Sequence, residues 1–214
     1  MLKIFVDTCV WRHWLSWIEG LFSDTSTHSV DAIAFDDVLT AISNGNVQAQ
    51  LLYDERVVLE LGERRAAEIK TRTEGHSARV PIPLTRADGS FKADESVLCG
   101  GIYGGSLDVL LTADGVDHER LLHEAAVRAQ SAGSFLYEEK IRKKEFDVEH
   151  LEASLEAHAD YFVTTDVKTI ILAIQRLSDR LPNNQALQSV RRTLRLPTQL
   201  REELVSSASG LKSS

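Results

Sequence analysis

Short apolar runs alternate along the chain with stretches of helical period. Leu2-Lys-Ile-Phe-Val6 is nearly continuous in apolar character and stops at Asp7, the pattern of a strand buried on both faces of a parallel sheet. Val10 to Phe22 then sets Trp11, Trp14, Leu15, Ile18 and Phe22 at helical spacing, so a helix covers that strand, its tryptophans read as core or dimer contacts in preference to a base-stacking platform. Asp31 offers a cap for a second helix that carries Ile33, Phe35, Val38, Leu39 and Ile42 and ends at Asn44-Gly45, ahead of a strand near Val47 to Tyr53. Asp54 caps a third helix to about Ile69, with Val57, Val58 and Leu61 on one side. Asp147 opens a later helix, and Ala159-Asp-Tyr-Phe-Val-Thr-Thr-Asp166 follows as a turn, a second buried strand and a second carboxylate at a strand's end. A last helix presents Ile170, Ile171, Ile174 and Leu177 and stops at Pro182.

Alternating strands and amphipathic helices predict an α/β fold with a central, mainly parallel sheet and right-handed crossovers. With 214 residues, 43% hydrophobic and 26% charged, the expected organisation is a single domain over residues 1–205 and a loose tail over 206–214. The stretch from about 73 to 117 holds Pro81, Pro83, Gly89 and the run Cys99-Gly-Gly-Ile-Tyr-Gly-Gly-Ser106, and reads as an inserted elaboration before a helix from about Asp117 to Ala132. Its glycine run lacks a following Lys-Ser/Thr and is not a phosphate loop.

No run reaches the ~20 apolar residues of a membrane span, and the start meets Asp7 before a leader's apolar region can form. A cytoplasmic location is the expectation, consistent with only two cysteines, Cys9 and Cys99. The net charge of −8 argues against a nucleic-acid partner, yet Lys168 to Arg201 holds seven basic residues against Asp179 alone. Such a segment either steers a polyanion toward the acidic remainder or forms a solvated face.

Candidate chemistry lies in the acids. Ligands of parallel sheets sit beyond the carboxyl ends of the strands, where Asp7 and Asp166 stand. Asp147 can join them from the helix leading into the second strand, and Glu60 from the margin of the third helix's apolar stripe; its alternative is an ion pair with Arg56 or Arg64. Two carboxylates about 4 Å apart at an effective dielectric near 20 repel by roughly 4 kcal/mol, so a cluster calls for a counter-ion. Hard oxygen donors favour Mg²⁺ or Mn²⁺. His118-Glu-Arg-Leu-Leu-His123 spaces its histidines one residue too widely for a zinc helix.

The segments Ile4-Phe-Val-Asp7-Thr8, Val57-Val-Leu-Glu60-Leu61, Phe146-Asp147-x-Glu-His-Leu151 and Asp160-Tyr-Phe-Val-Thr164-Thr165-Asp166 together resemble the successive motifs of the PIN-domain family. The resemblance implies a three-layer α/β/α sandwich and a Mg²⁺- or Mn²⁺-dependent ribonuclease with Asp7, Glu60, Asp147 and Asp166 as the catalytic, metal-holding acids. It further implies Thr164 as the supporting hydroxyl, with Thr8 and Thr165 beside it, and cleavage to 5′-phosphate and 3′-hydroxyl ends. The toxin of a type II toxin-antitoxin pair is one setting it suggests, with an antitoxin and a second copy of the chain as partners. The 87 positions from Glu60 to Asp147 exceed the spacing of compact toxin members, and Glu149 and Glu63 are substitutes should the helix registers differ. Two other readings stand beside it: a non-catalytic PIN-like scaffold that binds RNA or protein, and an aspartyl phosphatase, which wants Asp-x-Asp where this chain has Asp7-Thr8-Cys9.

Overall fold

The computed structural model describes residues 1–22, 26–81, 92–93, 96–97, 150–151, 153–180, 182 and 185–206. The chain divides into two compact units, one of Met1–Pro81, Ser154–Val167 and Thr193–Ser214, the other of Ile82–Ala153 and Lys168–Arg192.

The first unit holds a five-stranded, all-parallel sheet, which makes the fold α/β as the alternation predicts. Its strands are β1 (Leu2–Val6), β2 (Ala49–Tyr53), β3 (Ser77–Arg79), β6 (Tyr161–Val163) and β7 (Leu194–Arg195), in the order β3-β2-β1-β6-β7. Between them run α1 (Thr8–Ile18), α2 (Thr27–Ser43), α3 (Glu55–Leu61) and α4 (Glu63–Arg72), and α7 (Pro197–Arg201) follows β7. The second unit holds a short antiparallel pair, β4 (Lys92–Ala93) with β5 (Ser96–Val97), and the helices α5 (Leu172–Arg180) and α6 (Gln185–Thr193).

Strand β1 is central because its apolar run satisfies both faces at once: Ile4, Phe5 and Val6 are all fully buried. Ile4 and Val6, with Leu51, Tyr53 and Val163, face Val10, Trp11, Trp14 and Leu15 of α1 and Phe35, Val38 and Ile42 of α2 in one core. Phe5, Leu52 and Phe162 point to the other face, where the rings of Phe5 and Phe162 stack 5.5 Å apart and 7° from parallel. Full burial of each such side chain contributes about 1.5–3 kcal/mol. Register between β1 and β6 is set at their start, where the backbone amide of Lys3 donates to Oδ2 of Asp160 at 2.8 Å and Asp160 returns its own amide to the Lys3 carbonyl. Val6 therefore lies beside Val163, and the residues after each strand become neighbours.

Several boundaries differ from the sequence expectation. Helix α2 starts at Thr27, capped by Ser26, whose Oγ accepts from the Ser29 amide at 3.1 Å while Ser29 Oγ donates to the Ser26 carbonyl. Asp31 is consequently inside the helix. Asp54 caps α3 as expected, accepting from the amides of Arg56 and Val57, but the helix breaks at Gly62 (φ 81°, ψ 155°) and restarts as α4. Ser77–Arg79, within the stretch read as elaboration, is an edge strand of the main sheet paired with β2. The expected helix from Asp117 to Ala132 and the tail from 207 lie outside the described residues. No helix among the described residues is long and apolar enough to cross a membrane.

Candidate active site

The strand order places a reversal at β1: the chain builds outward through β2 and β3 on one side, then returns to lay β6 and β7 on the other. Carboxyl ends of adjacent strands at such a reversal form the crevice where α/β sheets bind ligands. Asp7 follows β1 and Thr164 follows β6, so both stand at this point.

Asp7 occupies the N-cap position of α1, its carbonyl accepting from Val10 and Trp11, yet its side chain makes no cap bond. The carboxylate turns to the neighbouring strand, where Oδ2 accepts from Thr164 Oγ1 at 2.6 Å and from Cys9 Sγ at 3.0 Å. Asp7 is 4% exposed. Its carboxylate therefore neither caps α1 nor faces water, and is bonded across to the neighbouring strand end.

Thr164 is fully buried and connects the two strand ends: its amide donates to the Arg195 carbonyl at 3.1 Å, and its Oγ1 accepts from the Asp166 amide at 3.0 Å while donating to Asp7. The backbone of Asp166, a half-buried residue, is thus tied through the Thr164 hydroxyl to the Asp7 carboxylate. Thr165 donates its amide to Cys9 Sγ at 3.2 Å, and its Oγ1 lies 3.2 Å from His13 Nδ1. Thr8, buried at 2%, opens α1 beside Asp7.

Glu60 sits on α3 and meets neither Arg56 nor Arg64 but Arg12 of α1, Oε2 to Nη2 at 3.9 Å, with its side chain 20% exposed and that of Arg12 49%. Exposed pairs of this length contribute about 0–1 kcal/mol, so the contact joins α3 loosely to the helix that begins at Asp7. Asp147 and Glu149 lie outside the described residues. Among the described residues no three His, Cys, Asp or Glu side chains group closely enough to hold a metal ion.

Two contributors went unread in the sequence. Burial foremost, and then the adjacent Asp7, push the Cys9 thiol well above its ordinary value, so it remains protonated and donates to the carboxylate. Burial also lowers His13 to about 4, helped by His28 and Arg12 and opposed by Asp7, which leaves a neutral imidazole at pH 7. The available signal was spacing: Cys9 and His13 are four apart and share a helix face two residues after the strand-end acid.

The basic segment is partly self-neutralised. Arg191 pairs with Asp179 at 2.6 Å, Arg195 with Glu203 at 2.5 Å and Arg201 with Asp37 at 3.3 Å. Its residues also divide between the two units, Lys168–Arg192 belonging to one and Arg195 and Arg201 to the other.

No protein-family model, curated protein or solved structure matches this chain. The chemistry of the site rests on its own geometry.

Proposed function

We propose that the chain is a PIN-like, metal-dependent endoribonuclease that hydrolyses RNA phosphodiester bonds at the carboxyl ends of β1 and β6, within a three-layer α/β/α arrangement. The observation that carries this reading is the buried, non-capping carboxylate of Asp7, fixed by the hydroxyl of Thr164 from the adjacent strand end.

Among the described residues Asp7, Glu60 and Asp166 do not gather into one cation site, so the proposed ion follows from donor type alone. The proposed ligands are carboxylates, hard oxygen donors of the type that Mg²⁺ and Mn²⁺ favour over zinc. Asp7, Glu60 and Asp166 are the residues that would hold Mg²⁺ or Mn²⁺, and Asp147, the fourth acid implied by the resemblance, lies outside the described residues. Such an ion supplies Lewis acidity toward phosphate oxygens and makes water nucleophilic near neutral pH. The chain's own residues do the positioning. Thr164 fixes the rotamer of Asp7 while tying down the backbone of Asp166, and Cys9 adds a second donor to the same oxygen. Arg12 balances the charge of Glu60 until substrate is present. Hydrolysis adds water's oxygen to phosphorus and breaks the bond to O3′, leaving a 5′-phosphate and a 3′-hydroxyl that has taken up a proton.

A cytoplasmic toxin with a cognate antitoxin, active as a homodimer, is the setting this reading suggests. Incubating purified protein with single-stranded RNA, with and without Mn²⁺, tests the chemistry. Metal-dependent cleavage lost in Asp7→Asn supports it; RNA or protein binding with no cleavage by wild type under any divalent cation replaces it with the scaffold reading.

A further inference from the structure

Beside the carboxylate stands a group of flat rings that the proposed chemistry does not use. His13 of α1 and His28 on the first turn of α2 lie with ring centroids 4.1 Å apart at 44°, and Phe22, just beyond α1, approaches each at 5.9 Å. The core of the same unit buries its aromatic rings completely at Trp11 and Phe35, whereas here His28 is exposed and His13 and Phe22 are only half-buried. Rings gathered only to pack would withdraw from water, and these residues do not. The group is anchored to the site by a short path, since His13 Nδ1 lies 3.2 Å from Thr165 Oγ1, and the Thr165 amide donates to Cys9 Sγ, itself bonded to Asp7.

We infer that Phe22, His13 and His28 form a stacking platform for an unpaired nucleobase next to the phosphate bound at Asp7. This rests on the nuclease reading for the identity of the bound phosphate. Sequence-tolerant recognition of single strands combines backbone contacts with bases stacked on aromatic and histidine rings, because every base offers a π-face and a duplex does not.

The test separates binding from cleavage. In an Asp7→Asn background with EDTA, binding of a fluorescent single-stranded RNA is measured for the parent, His28→Ala, Phe22→Ala and His28→Phe. Loss of one stacked base corresponds to about ten- to hundredfold weaker binding in each alanine variant, with His28→Phe restoring most of it. An oligonucleotide carrying an abasic site should lose the same factor against the parent, and combining it with His28→Ala should add little. Matched circular dichroism and melting of the variants exclude misfolding. Equal binding by parent and both alanine variants, alongside metal-dependent cleavage by the chain with Asp7 intact, overturns the platform and leaves the nuclease standing. Ring-dependent binding without cleavage by that same chain supports the platform and removes the nuclease; absence of both binding and cleavage removes both.

Discussion

Thr164 Oγ1 donates a 2.6 Å hydrogen bond to Oδ2 of Asp7, joining the first residues beyond two neighbouring parallel strands. The bond spans 157 positions of sequence and is fully enclosed. Replacing Thr164 by Val keeps the shape and removes the donor, leaving a buried carboxylate short of a partner. Hydrogen bonds to charged groups contribute about 1.5–3 kcal/mol, so Thr164→Val should lower stability by roughly that amount in urea denaturation. Thr164→Ser retains the hydroxyl and should cost about 0.8 kcal/mol for its lost methyl. Equal losses for the two variants would show that the hydroxyl is not what holds the strand ends together.

Two tryptophans of one helix face opposite polar situations. Trp14 Nε1 donates to Oδ1 of Asp36 at 2.9 Å, whereas the buried Nε1 of Trp11 has no hydrogen-bond partner among the described residues. Phe at either position removes the same volume from a well-packed core. At Trp14 it also discards a bond to a carboxylate; at Trp11 it discards an unsatisfied donor whose burial costs about 1–3 kcal/mol. Trp14→Phe should therefore be at least about 1 kcal/mol more destabilising than Trp11→Phe, read from paired urea midpoints.

Gly62 separates α3 from α4 at φ 81° and ψ 155°, a region that side chains avoid. A Cβ there meets nothing within 4 Å, so any penalty is conformational and not steric crowding by neighbours. Gly62→Ala should cost about 1–3 kcal/mol, and since Glu60 lies two residues earlier, weaker divalent-ion binding should accompany it, measured by thermal shift with Mn²⁺. A neutral Gly62→Ala would mean that the two helices merge into the single one that the apolar spacing predicts.

What the sequence revealed and concealed follows from where each signal resides. The apolar runs ahead of Asp7 and Asp166 are local signals that identify central strands and hence the sheet's carboxyl edge, although β6 ends at Val163 and Thr164, not Asp166, stands opposite Asp7. Ser77-Ala-Arg79 and Leu194-Arg195 carry little apolar content because they are short edge strands, held by backbone pairing to β2 and β6. The start of α2 was misplaced because a Ser26–Ser29 hydroxyl pair outcompetes Asp31 as a cap. Cys9 and His13 are not legible as site residues because Thr165, which both meet, lies more than 150 positions away. Glu60 was read at the right margin of its helix, but its partner Arg12 belongs to another element.

His13 makes stability depend on pH. Its value falls from 6.5 to about 4 on folding through burial first, then the proximity of His28 and Arg12, with Asp7 acting in the opposite sense. Because the unfolded chain takes up the proton first, the contribution is complete above about pH 6.5 and is lost progressively as pH falls through 4. With the ring only half-buried, the swing is on the order of 1–2 kcal/mol after allowing for solvent screening. Urea midpoints from pH 7.5 to 4 should decline, and His13→Gln should remove that part of the slope. An unchanged slope in the variant would assign it to other groups.

At Asp7 itself, geometry reverses an expectation from charge alone. Clustered carboxylates repel, so Asp7→Asn is expected from sequence to stabilise the metal-free protein. Instead Oδ2 collects donors from Thr164 and Cys9, and an amide oxygen accepts both less strongly than a carboxylate. Metal-free Asp7→Asn should melt lower than wild type, by about 1–2 kcal/mol of stability. Wild type should gain about 2.7 kcal/mol at a divalent-ion concentration 100 times its Kd, and the variant should gain far less. Differential scanning calorimetry with EDTA and then with Mn²⁺ resolves both signs in one experiment. A higher metal-free melting temperature for Asp7→Asn would restore the repulsion argument, and an equal Mn²⁺ gain in both proteins would place the ion away from Asp7.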